Sequence, residues 1–287
     1  MDFLNGLIGV SATVRAVGHT TFFSELPRLR ALLPVLTWRD LRVRYKQSLL
    51  GIGWAVLLPV SMMLLFTFVF TRAIGGASAF GVRMPYPLYA FAGLVPWTFF
   101  STSLGNCVNS LVANRNLVTK VYFPREVFPL SCVASALVDF AIALLVLIAL
   151  IVYFHFRGDW TFTPTLALLF VPVVLLIQIA LTVGLGMILA MANLFYRDIR
   201  QVFSIAIQLW MFVSAVVVPL PHDGSFWAKL FALNPLVPII SAYRDCILNG
   251  RGPDVGAFLY AAVVAILFLI FGWVGFRRAS FRFAECI

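Results

Sequence analysis

The sequence predicts an all-α membrane protein of six transmembrane helices, and three observations predict it. Of its 287 residues, 62% are hydrophobic and 11% charged, whereas soluble domains carry roughly 45–50% and about 25%. A soluble core of this length cannot hide so much apolar side chain, so lipid is the expected solvent. The apolar residues also gather into six runs of the length needed to cross the bilayer, roughly 20 helical residues for about 30 Å of hydrocarbon. These runs are long and uniformly apolar, unlike the alternating segments of about ten residues in a transmembrane barrel. Finally, the charges sit in short islands between the runs and are strongly biased to one set of islands.

The expected spans are residues 52–70, 88–112 (the most polar), 127–154, 166–194, 202–220 and 255–276. They leave a segment 1–33 before the membrane domain 34–276 and a tail 277–287. Of the 21 Lys and Arg residues, 15 fall on the side holding both termini and 6 on the other. The positive-inside rule therefore places both termini in the cytoplasm. The net charge of +10 is accounted for by this orientation bias, and no nucleic-acid partner is expected. Residues 1–10 carry Asp2 and no basic residue, so they do not read as a secretory signal.

Residues 34–46 read PVLTWRDLRVRYK. Trp38, Leu41 and Tyr45 share one helical face, and Arg39, Arg42 and Lys46 a neighbouring one. With Arg44, they predict an amphipathic helix over 34–48 lying in the membrane interface, Pro34 in its first turn. Residues 221–253 are too apolar for a plain loop, and Pro235 and Pro238 break them too soon for a span. Short half-inserted helices on the outer side are expected there. Arg197, Asp198 and Arg200 repeat the Arg39-Asp40-Leu41-Arg42 pattern before the fifth span and predict a second basic elbow.

Catalytic chemistry is missing. The three lysines, Lys46, Lys120 and Lys229, do not follow a glycine, so there is no phosphate-cradling Walker loop. His19, His155 and His222 are isolated, and Cys107, Cys132, Cys246 and Cys286 are scattered, which predicts neither a metal site nor a disulfide framework. The chain is expected to be no enzyme and to bind no cofactor. Asp139, in the middle of the third span, has two readings: a proton or cation relay, or a structural acid satisfied inside the bundle. Asn106, Asn109, Gln178 and Gln208 either hydrogen-bond across helices or line a polar conduit. The 28 phenylalanines are mostly lipid-facing or interfacial, with a minority available to line a path for a saccharide.

The islands carry a specific combination. Residues 44–51 read RYKQSLLG, residues 120–126 read KVYFPRE, and residues 195–199 read FYRDI; Asn234-Pro235-Leu236 and Arg244 follow. Together they resemble the membrane subunit of ABC-2-type exporters of polysaccharides (O-antigen, capsule and teichoic acid), over about residues 35–277. The resemblance implies two copies of this chain forming a channel, paired with two copies of an ATP-binding subunit. ATP and Mg would be held there, and a lipid-linked polysaccharide moved outward across a bacterial cytoplasmic membrane. It implies a coupling helix over 116–120 on the ATPase, embracing Asn116 and Lys120, capped by Asn114. Phe123, Pro124, Arg125 and Glu126 would turn the chain back into the third span. It also implies that Arg39, Arg42, Arg44, Tyr45 and Lys46 sit at the cytoplasmic entrance, beside the lipid headgroup. Two rivals remain: a same-family exporter of a drug or lipid, and an ion-coupled transporter using Asp139.

Overall fold

The computed structural model describes residues 22–46, 50–51, 53–73, 84–120, 124–217, 231–280 and 283. Among them all regular structure is helical. The helices are α1 (Phe22–Tyr45), α2 (Gly53–Ala73), α3 (Tyr86–Ala113), the short α4 (Arg115–Lys120) and α5 (Val127–Arg157). A 3-10 turn (Leu166–Phe170) leads into α6 (Val171–Phe195), followed by α7 (Ile199–Val213), α8 (Leu236–Ile247) and α9 (Val255–Ser280).

Four of these segments are long and apolar enough to cross a membrane: α2, α5, α6 with its leading turn, and α9. The two remaining expected spans differ for separate reasons. Helix α3 has 28 residues, about 42 Å of helix. It is the most polar of the predicted spans because it is the most buried, packing at the centre against α2, α5, α6 and α8. A helix that faces protein on every side needs fewer lipid-compatible residues than one that faces acyl chains. Helix α7 is apolar but has 15 residues, shorter than the predicted 202–220, and positions 218–220 lie outside the described residues.

The expected interface helix starts earlier than predicted. Pro34 lies inside α1, not in its first turn. The helix continues through it because Leu29, Leu32 and Leu36 form a stripe packed on the core, and that burial outweighs one missing backbone hydrogen bond. Of the predicted aromatic face, Trp38 is 62% exposed, while Leu41 and Tyr45 are half-buried.

The tightest helix pair is α6 with α9. A Cβ on Gly184 would overlap the backbone of Phe268, and one on Gly272 would overlap the Gly184 carbonyl. Ala261 and Ala265 continue the small-residue stripe on α9, both fully buried. This is the close approach that small residues permit between membrane helices. Replacing Gly184 by Ala is expected to lower stability by roughly 1–3 kcal/mol through overpacking. Gly252→Ala, where an added Cβ meets nothing within 4 Å, should leave thermal melting in detergent unchanged.

Candidate functional site

Helix α1 is fixed to α5 by polar contacts to Ser131 and Asp139, eight residues apart on one face of α5. The Ser131 hydroxyl donates to Asp40 at 3.0 Å, and Arg39 closes on the other Asp40 oxygen at 2.8 Å. One level deeper, Arg44 Nη1 donates to Asp139 Oδ2 at 2.5 Å, and the Tyr45 hydroxyl donates to Oδ1. Sequence reasoning finds no basic partner for Asp139 in the neighbouring spans; the partner comes from the end of α1. Both carboxylate oxygens are engaged, which favours a positioning acid over a relay. Burial, then the bond to Asp139, push the Tyr45 hydroxyl up to about 12, so it stays a neutral donor.

This triad borders a cleft of about 260 Å³ between α1, α2, α3 and α5. Trp54, Phe99 and Phe140 form its walls, and Thr98 and Thr102 supply hydroxyls. Phe99 and Phe140 meet edge to face at 5.6 Å. Ala136 and Ala143 flank Asp139 on α5 and line the same space; their small side chains keep it open. An arginine held by a carboxylate still has donors left over from the five in its guanidinium. The arrangement can therefore take an anionic group at the Arg44 end and a ring against the aromatic wall. Arg42 instead sits 5.6 Å over the Trp38 ring and is exposed, as is Lys46.

The loop between α3 and α5 forms the short helix α4, which starts at Arg115. Arg115 and Asn116 are exposed, and Val118 is buried. Asn114 does not cap α4 with its side chain; that amide donates back to Ser110 O at 2.8 Å, while the Asn114 carbonyl accepts the amides of Leu117 and Val118. Lys120 ends the helix, and Phe123 lies outside the described residues. Pro124 is buried beyond it. Arg125 and Glu126 turn inward: Arg125 donates to the Ser280 carbonyl at the end of α9, and Glu126 accepts from Arg277 Nε at 3.0 Å.

At the opposite end of the bundle, Arg244 of α8 is 5% exposed. Its guanidinium lies 3.8 Å from the Tyr89 ring centroid. It donates to the carbonyls of Tyr89 at 3.3 Å, Ala215 at 2.8 Å and Val216 at 2.5 Å. Ala215 has φ of 52°, the left-handed turn that follows α7, and Arg244 takes up the carbonyls of this turn, while Ser214 and Asn234 bond the helix-end carbonyls of Trp210 and Val213. Gly93 makes room, since a Cβ there would strike the guanidinium. Asn234 closes the same corner: its amide donates to Ser214 Oγ at 2.9 Å, and its Oδ1 accepts the Leu236 amide at 3.1 Å. Pro235 and Pro238 do not break the apolar stretch, because they fall at the start of α8, where no intrahelical donor is needed.

From residue 31 to residue 248 the chain matches the family model described as ABC-2 type transporter. The chain belongs to this ABC-2 family. It is 34% identical to an O-antigen export system permease protein RfbA of Myxococcus xanthus, over 92% of this chain and 98% of the relative. A Klebsiella pneumoniae RfbA is 31% identical over 89% and 95%. The polysialic acid transport protein KpsM of Escherichia coli is 25% identical over 86% and 93%. An ABC-2 membrane subunit is a multi-pass transport subunit, and membership implies an ATP-binding partner.

In this ABC-2 subunit the remaining predicted residues are dispersed. Arg197, Asp198 and Arg200 are exposed at the turn between α6 and α7. Gln178 is fully buried and crosses to α3, donating to the Pro96 carbonyl at 2.7 Å. Asn106 is half-buried, with an amide nitrogen that has no partner among the described residues; Asn109 is half-buried. Gln208 is exposed on α7, so it neither bonds across the bundle nor lines an interior conduit within the chain. Asn193, not singled out from sequence, makes the same kind of cross-helix bond to Val108 O at 2.8 Å.

Asp139→Leu should cost more stability than Arg44→Leu with Asp139→Leu together, because the single change strands a guanidinium. A double-mutant cycle read by thermal melting should show a coupling of roughly 0.5–3 kcal/mol. Arg244→Lys should lose roughly 1–3 kcal/mol by stranding buried carbonyls. Arg251→Lys, in an exposed pair with Asp245 at 2.8 Å, should change little.

Proposed function

We propose that this chain is the channel-forming permease subunit of an ATP-driven exporter that moves a lipid-linked, O-antigen-like polysaccharide out across the bacterial cytoplasmic membrane. The 34% identity over 98% of an O-antigen export permease carries this reading. The likeness to KpsM supports a polysaccharide cargo in place of a drug. Helices α2, α3, α5, α6, α7 and α9 serve as the six spans, with both termini cytoplasmic. Two copies form the channel and carry two ATP-binding subunits, which hold the ATP and Mg that this chain does not bind.

Each ATPase seats on α4 through its exposed face, Arg115 and Asn116. Arg44 marks the entrance, where its guanidinium, held by Asp139, meets the phosphate of the lipid carrier; bidentate geometry suits arginine to that group. Arg39 is drawn onto Asp40, which leaves Arg42 and Lys46 for anionic headgroups of the bilayer. A relay through Asp139 is disfavoured because both of its oxygens are already bonded.

The test is co-purification in mild detergent. The native chain should recover a Walker-motif ATPase, and Asn116→Trp, which alters an exposed residue, should weaken recovery about tenfold, the effect of roughly 1.4 kcal/mol. Arg44→Gln should retain the ATPase and reduce surface glycan in the native host. An ion-driven mechanism would instead be indicated by glycan export that continues without any ATP-binding partner.

A further inference from the structure

An aromatic and ionic clasp forms where three connections of the chain meet. Phe283, a helical residue three positions after Ser280, is fully buried. Its ring packs edge to face on Phe276 at 5.1 Å and on Phe195, the last residue of α6, at 6.2 Å. The Arg125 guanidinium stands 5.9 Å from the same ring while it caps the α9 carbonyl of Ser280. Glu126, also buried, is paired with Arg277.

We propose that Phe283 and Arg277 are positioning residues for energy coupling: they fasten the exit of the α4 loop to the α6–α9 pair, so that displacement of α4 is delivered to those two helices. This rests on the exporter reading. Covalently, α4 is joined only to α3 and, through residues 121–126, to α5. A push on α4 would otherwise reach α6 and α9 only by side-chain sliding. The clasp adds a second attachment. Arg125 and Glu126 each hold α9, by its terminal carbonyl and by Arg277 respectively, and Phe283 bridges the ends of α9 and α6.

The pair so gripped is stiff. Gly184 and Gly272 meet backbone to backbone, and each lies eleven residues before its helix's clasp residue, Phe195 and Phe283. Two bonded levels on parallel helices resist both shear and rotation, as packed cores do. A brace needed only for folding would not have to join the loop to this pair by a capping bond, an ion pair and a buried ring together.

The experiment compares the native chain with Phe283→Ala, with Phe283→Leu, and with Glu126→Gln plus Arg277→Gln, each purified with its ATP-binding partner. Three quantities are measured: partner recovered per chain, ATP turnover in phosphatidylethanolamine–phosphatidylglycerol vesicles, and surface glycan in the native host by carbohydrate staining. The expected result is near-native recovery and turnover for Phe283→Ala and the Gln pair, with glycan per ATP turned over reduced at least roughly threefold. Phe283→Leu, which keeps an apolar plug, should restore most of the ratio. An unchanged ratio would overturn the proposal. So would parallel loss of partner, turnover and glycan in all three variants, the mark of a fold brace. Failure of the native chain itself to recover an ATPase would sink the exporter reading, a result distinct from either.

Discussion

A polar group carried into hydrocarbon has no water to answer it, so it is stabilised where protein surrounds it. That constraint explains the centre of the bundle. Helix α3 carries Ser103, Asn106, Asn109 and Ser110 along its length, and the bundle is built around it. Gln178 and Asn193 of α6 reach across to α3 carbonyls, so the two helices are tied at two depths by buried amides. The apolar helices α2, α5, α6 and α9 then occupy the outside, where their leucine, isoleucine and valine side chains meet acyl chains. The most polar predicted span is the innermost because the solvent is outside and apolar.

Charges follow the same constraint at the two ends. Arg244 is buried where α7 ends in a left-handed turn, and its guanidinium serves backbone carbonyls and the Tyr89 ring. Its fork of donors fits carbonyls arrayed around a helix terminus, which a lysine ammonium cannot match. At the other end, Asp139 and Glu126 are each met by an arginine from a distant segment. These pairs do little for net stability compared with apolar packing. What they supply is register: α1 can dock on α5 at one height, and the α4 loop on α9 at one height.

The fold class was legible because hydrocarbon thickness imposes a length and a composition that survive in a single sequence. Residues 127–154 and 255–276 map closely onto α5 and α9 for that reason. What was not legible depends on partners far apart in the chain. The stripe of α1 that packs on the core, Leu29, Leu32 and Leu36, begins before Pro34, and a local view that starts at Pro34 does not see it. The partner of Asp139 lies 95 residues earlier, and that of Glu126 151 residues later; spacing along the chain carries no trace of either. Arg244 shows the opposite failure. Counted as one of the basic residues outside the spans, it is buried, and the available signal was Gly93, whose missing side chain makes its space.

The cleft and the clasp divide the work of α5 between its two faces. Its Ser131–Asp139 stripe holds α1 and shapes the cleft, and its entry at Glu126 is bound to α9. On the proposed coupling, a tilt of α5 driven through α4 would act on both at once. It would shift Asp139, and with it Arg44, relative to the Phe99 wall on α3, while the clasp draws α9 and α6 along. Under the proposed exporter mechanism, headgroup binding and nucleotide-driven motion would need no separate communication, because one helix carries the acid bonded to Arg44 and the acid bonded to Arg277. The separation of the two acids, 13 residues or about 20 Å of helix, sets the lever between them.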